Sequence, residues 1–126
     1  MKIDHFNIKA PPELLQQVRD FYCQVLGLEQ GARPPFDSQG YWLYAGSHPV
    51  LHLSETDTEH PEGTGYLDHV AFGVDDPQPI IDALEAQCVP YRTYRVPGKE
   101  TMQVFFSDPA GIKVEVDYPA REGDSD

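Results

Sequence analysis

At the end of the chain, apolar and polar residues alternate strictly. After Asp108-Pro109-Ala110-Gly111, whose composition predicts a tight turn, Ile112, Val114 and Val116 share one face of a strand, and Lys113, Glu115 and Asp117 share the other. The first nine residues alternate in the same way: Ile3, His5 and Asn7 lie against Phe6 and Ile8. Pro11-Pro12 then opens a helix. Its stripe of Leu14, Leu15, Val18, Phe21, Tyr22, Val25 and Leu26 has the helical period, and Gly27 is placed to end it. A Pro/Gly-rich connection from Gly31 to Gly40 leads to strands at 41–45 and 50–53, joined by a turn at Gly46-Ser47-His48-Pro49. Residues 54–66 are polar and acidic and read as a linker.

The order then recurs. A strand at 67–74 precedes Asp76-Pro77, an N-cap followed by proline at the first helical position. Ile80, Ile81, Leu84 and Cys88 form a helical stripe, and strands follow at 91–96, 102–106 and 112–117. His69 lies 64 positions after His5, and Glu115 lies 63 positions after His52. Two copies are too few for a solenoid and point to two similar modules facing each other across a cleft. The expected fold class is α+β, with two paired βαβββ modules forming a curved, barrel-like mixed sheet. Module 1 covers about 1–53, the linker 54–66, module 2 about 67–118, and a disordered acidic tail 119–126.

Composition narrows the partners. With 126 residues, 40% of them apolar and 24% charged, the chain is sized for one globular domain. A net charge of −12 without a basic cluster argues against nucleic acid and anionic membranes as partners. No apolar run is long enough for a transmembrane helix, and the N-terminus lacks a signal-peptide core, so a cytoplasmic location is expected. Cys23 and Cys88 both fall within predicted helices without metal or redox spacing, and are expected to be buried free thiols.

The duplicated positions carry the candidate chemistry. His5, His52, His69 and Glu115 are each expected mid-strand, on the face opposite the core residues. Ala71 and Gly73 leave room beside His69. Three imidazoles and a carboxylate in one cavity make a set of donors for a divalent metal. His48 and His60 have no duplicated partner and read as surface residues. Asn7 and Gln103 face the cleft as candidate substrate contacts. Trp42 and Tyr44, or Tyr41 and Leu43, bring aromatic surface to it, depending on register.

His5, Phe21-Tyr22-x-x-Val25-Leu26-Gly27-Leu28, Asp68-His69-Val70-Ala71-Phe72 and Phe105-Phe106-Ser107-Asp108-Pro109-Ala110-Gly111 leading to Glu115 together resemble the vicinal oxygen chelate superfamily. That superfamily includes glyoxalase I, extradiol dioxygenases, and fosfomycin- and bleomycin-resistance proteins. The resemblance implies one divalent ion per site (nickel, zinc, cobalt, manganese or iron) on His5, His69 and Glu115, with His52 as a fourth ligand or a base. It implies a glyoxalase-like lyase or isomerase acting on a small substrate with vicinal oxygens, using Glu115 and His52 as catalytic groups. Glyoxalases of this kind have a second carboxylate where this chain has His52; extradiol dioxygenases have a histidine at about that place. A ring-cleaving dioxygenase is therefore one alternative. A fosfomycin- or bleomycin-resistance-like transferase or binding protein is another, with Lys99, Arg92 and Arg95 as cations for a phosphonate. The resemblance also implies a homodimer with shared active sites. The linker's length permits pairing within a chain or between chains.

Overall fold

The computed structural model describes residues 3–58, 67 and 69–124. In chain order these form β1 (Phe6–Ala10), α1 (Pro12–Val25), β2 (Glu29–Gly31), β3 (Gly40–Ala45), β4 (His48–Glu55), β5 (His69–Gly73), α2 (Gln78–Ala86), β6 (Arg92–Arg95), β7 (Thr101–Ser107) and β8 (Lys113–Pro119). The chain divides into two compact units, Met1–Glu62 and Gly63–Asp126. In place of one barrel-like sheet, the described strands form two separate four-stranded sheets, ordered β1-β4-β3-β2 and β5-β8-β7-β6. Each unit is a βαβββ module. No helix among the described residues is long and apolar enough to cross a membrane.

In the first unit, the apolar stripe of α1 seals one face of the sheet. Leu15, Val18, Phe21, Tyr22 and Val25 are buried against Ile8, Leu43, Leu51 and Leu53. Each such side chain contributes about 1.5–3 kcal/mol by leaving water. Pro12 starts the helix without a side-chain cap. Leu26 N–H and Leu28 N–H both donate to Tyr22 O at its end, with Gly27 left-handed at φ 73°. The three-residue β2 escapes sequence patterning because Glu29-Gln30-Gly31 has no apolar alternation; it is held by antiparallel pairing with Tyr44, Leu43 and Trp42 of β3. A Cβ at Gly40 would lie 2.0 Å from Leu53 O, so only glycine allows that approach.

The second unit repeats this plan. Ile80 and Leu84 of α2 are buried, as are Met102, Val104, Phe106, Val114, Val116 and Tyr118 of its sheet. Asp76 Oδ1 accepts from Gln78 N–H at 3.0 Å, and the helix begins one residue later than expected, with Pro77 at the cap. Cys88 is not part of the helical stripe. It lies past the helix end, exposed and left-handed at φ 56°, because the chain must turn there and no glycine is available. Cys23 is half-buried, so neither thiol is a fully buried core residue. The residues read above as a frayed tail carry, through Asp124, a turn in which Asp124 N–H donates to Arg121 O at 3.0 Å.

The ladders reproduce the duplication residue by residue. Phe6 pairs with Leu51 and Asn7 with His52 in β1/β4; the matched Val70 pairs with Val114 and Ala71 with Glu115 in β5/β8. Trp42 lies opposite His52, and Phe105 opposite Glu115. The turn before β8 is fixed by Asp108, 5% exposed, whose Oδ1 accepts from Ala110 N–H and Ile112 N–H, each at 2.9 Å. Gly111 takes φ 85° within it. Asp108→Ala leaves both donors without that partner and is expected to lower unfolding stability by about 2 kcal/mol or more in a denaturant titration. A change within error would show that the turn does not depend on this carboxylate.

Candidate functional site

Packing under each helix decides which side chains reach the opposite face. Leu51 and Leu53 go under α1, so His52 between them points away from it, together with Trp42 and Asn7. This settles the aromatic register: Leu43 is core, and Arg19 lies over the Tyr41 ring at 4.6 Å, leaving Trp42 beside His52. The rings of His5 and His52 stack with centroids 3.7 Å apart and planes 13° from parallel. Trp42 and His52 stack at 3.9 Å and 11°. Two near-parallel rings this close to one imidazole must occupy its two faces, so His52 is sandwiched.

The nitrogens of these rings are individually held. His5 Nδ1 lies 2.8 Å from Asp4 Oδ2, an arrangement in which Nδ1–H donates and Nε2 keeps its lone pair. His52 Nε2 lies 3.1 Å from Pro49 O; a carbonyl only accepts, so Nε2 carries the hydrogen and Nδ1 is the acceptor in the neutral ring. Burial, followed by the neighbouring His5, lowers the His52 pKa and keeps this ring neutral at physiological pH. His48, expected at the surface, is half-buried and bonds Asp4 O through Nε2, which braces the residue that holds His5. His60 and Asp68 lie outside the described residues.

In the second unit, His69 Nε2 is 3.3 Å from Glu115 Oε1, and Gln103 Nε2 donates to Glu115 Oε2 at 3.1 Å. Glu115 is 7% exposed although it lies on the face away from α2. Burial pushes its pKa up, and a hydrogen bond with Asp117 acts in the same direction; His69 and Gln103 oppose it. Asp117 Oδ1 is buried without a hydrogen-bond partner among the described residues. The space beside His69 expected from Gly73 is present, since a Cβ there would meet nothing within 4 Å. His5 immediately precedes β1 and His69 opens β5, so neither is mid-strand.

The four expected metal ligands therefore fall two and two, His5 with His52 and His69 with Glu115. Among the described residues, neither unit alone gathers three or more such side chains into a metal-holding group. The chemistry of each pair suits a small divalent cation. Two donors about 2.1 Å from one ion at the tetrahedral angle stand roughly 3.4 Å apart, close to the His69–Glu115 separation of 3.3 Å. A carboxylate bonded to the remote nitrogen of a histidine, as Asp4 is to His5, is the usual support for a ligating imidazole. Asn7, a candidate substrate contact, is exposed and donates from Nδ2 to Ser54 Oγ at 3.1 Å.

Comparison with known proteins gives the class of this chain. The family model of the Glyoxalase/Bleomycin resistance protein/Dioxygenase superfamily matches residues 2–116, and the chain belongs to that superfamily. It is 30% identical over 105 residues to the Uncharacterized protein YaeR of Escherichia coli (strain K12), spanning 76% of this chain and 81% of that one. Among solved structures, it is similar to a glyoxylase/bleomycin resistance protein/dioxygenase domain from Frankia sp. EAN1pec (TM-score 0.77, 18% identity, 98% of this chain and 95% of that one). It is also similar to lactoylglutathione lyase from Agrobacterium tumefaciens (TM-score 0.65, 26% identity, 93% of this chain and 92% of that one).

The raised Glu115 pKa has a sign that can be measured. A carboxyl whose pKa is higher folded than unfolded contributes its stability below the unfolded value and loses it as pH rises through the folded value. In protein stripped of divalent metal, Glu115→Gln is expected to melt higher than the parent at neutral pH, and the gap should close as pH falls below the ordinary carboxylate range. A gap that widens on acidification would contradict the burial argument.

Proposed function

We propose that the chain is a divalent-metal-dependent lyase or isomerase of glyoxalase type, acting on a small substrate that carries two neighbouring oxygens. His5, His69 and Glu115 hold the ion, and His52 stands beside them as a fourth ligand or as a base. One observation carries this reading: the sheets place an imidazole pair and an imidazole–carboxylate pair at duplicated positions, each on the face its helix leaves free. Membership of the superfamily and the likeness to a lactoylglutathione lyase support it. When bound, the ion supplies Lewis acidity to adjacent substrate oxygens.

The side chains divide the remaining work. Glu115, held between His69 and Gln103, takes a proton from the carbon next to those oxygens and returns it. Gln103 donates to Glu115 Oε2 and fixes which carboxylate oxygen stays available. His52, neutral and clamped between two rings, offers Nδ1 as a second proton acceptor. The amide oxygen of Asn7 accepts from a substrate hydroxyl. That His52 is a neutral histidine, not a carboxylate, favours one second reading: a ring-cleaving dioxygenase, with ferrous iron on the same three ligands and His52 as its acid/base. We place the protein in the cytoplasm as a homodimer in which His5 and His52 of one protomer meet the partner's His69 and the partner's Glu115, which completes both pairs.

Metal analysis of protein purified without added metal is expected to find one divalent ion per chain. Iron would favour the dioxygenase; nickel, zinc, cobalt or manganese the lyase. Glu115→Ala and His69→Ala should each weaken metal affinity by about 10-fold or more, while Glu122→Ala, on the exposed tail, should not. Equal effects from all three would remove the ligand assignment. His52→Ala should weaken affinity if His52 is a ligand, or spare affinity and lower turnover if it is a base; a variant normal in both respects would show a structural residue.

Shared sites are tested by mixing. His5→Ala and Glu115→Ala protomers, dissociated and re-associated together, should recover metal binding, because one site of each mixed dimer then carries both lesions and the other carries neither. Confirmed mixed dimers without recovery would show that each site is built within one chain.

A further inference from the structure

The helix-free face of the first unit holds a cavity of about 360 Å³ whose lining includes Lys9, Arg33, Phe36 and Trp42. We propose that this cavity recognises a planar organic acid: a ring-sized flat body against Trp42 and Phe36, with its carboxylate on Arg33 and Lys9. This deepens the functional reading above by naming the substrate class. It rests on that reading only in taking the bound acid to be the substrate.

Three features carry the inference. First, the guanidinium of Arg33 is built into place. Its Nη1 and Nη2 donate to Ser38 O at 2.9 Å and Ser38 Oγ at 3.2 Å, and it lies 5.0 Å over the Phe36 ring. Tyr44 pins the same connection by donating its hydroxyl to Ala32 O at 2.6 Å. Gly40 makes room, since a Cβ there would stand 3.1 Å from Arg33 Nη2. The guanidinium is nevertheless not saturated: Ser38 takes one hydrogen from each Nη, each Nη carries a second, and Arg33 lines the cavity. A partly buried guanidinium without an anion is costly, and a carboxylate is the charge-matched acceptor for those hydrogens.

Second, the charges are arranged against the background. The chain carries −12, and Arg19, Arg95 and Arg121 are each ion-paired to an aspartate or glutamate. Arg33 and Lys9 have no carboxylate within ion-pair distance among the described residues, and Glu55 is the single acid lining the cavity. Against a net charge of −12, two cations without a carboxylate partner lining one cavity make a local anion site.

Third, the apolar wall is open. Phe36 is 53% exposed and its ring centroid is 6.3 Å from that of Trp42, at 46°. An exposed aromatic pair beside a cation selects a flat apolar body over a small polar anion.

Trp42 is the sole tryptophan of the chain, so its fluorescence reports this cavity. In chelator-treated protein, benzoate is expected to change Trp42 emission saturably, with benzamide and acetate at least about 10-fold weaker, the scale of one charge-assisted hydrogen bond. Arg33→Gln should weaken benzoate by a similar factor, and Lys9→Gln, on an exposed strand position, should weaken it in a protein whose fold is undisturbed. Arg33→Gln should leave metal affinity unchanged while weakening benzoate, so failure of the metal assignment and failure of this one are separable. No saturable response to benzoate, equal affinity for benzamide, or benzoate affinity unaltered in both Arg33→Gln and Lys9→Gln would overturn the proposal.

Discussion

Two central strands, β4 and β8, impose the constraint from which the rest follows. In each, two neighbouring aliphatic residues of period two lie fully buried under a helix: Leu51 and Leu53 in the first unit, Val114 and Val116 in the second. A slip of one residue would bring His52 or Glu115 under the helix and expose the aliphatics. Each aliphatic contributes about 1.5–3 kcal/mol on burial, and a buried unpaired carboxylate adds a further penalty, so the alternative register is strongly disfavoured. The hydrophobic core thereby sets the face on which His52 and Glu115 lie.

What that aiming produces differs between the two halves. In the first, the polar residue is a histidine clamped by two rings, with its tautomer set by Pro49 O and its charge suppressed by burial. In the second it is a carboxylate, buried beside His69, Gln103 and Asp117. At matched positions one unit thus carries a neutral imidazole and the other a carboxyl whose pKa is raised by burial.

The sequence patterning made most of this architecture legible. Alternation located β4, β7 and β8, the helical stripe located α1, and the near-equal offsets of 64 and 63 exposed the duplication that the ladders repeat. Four things were not legible, each for a physical reason. The strand β2 lacks an apolar pattern and exists by pairing alone. Cys88 looks like a stripe residue but occupies the left-handed turn beyond the helix. Burial of Glu115 comes from His69 and Gln103, which are distant in sequence, and not from its own strand period. Arg33 and Phe36 sit in a Pro/Gly-rich connection with no periodicity, so nothing local marks them as cavity residues.

Under the proposed function, two histidines and Glu115, drawn from both modules, hold one divalent ion with His52 adjacent. X-ray absorption spectroscopy of metal-loaded protein tests it most directly, because it reads donor type and imidazole outer-shell scattering at the ion itself. The expected first shell is of nitrogen and oxygen only, with scattering from two or three imidazoles that falls by one in His69→Ala. A sulfur donor, an all-oxygen shell, or a spectrum unaltered by that substitution would contradict it.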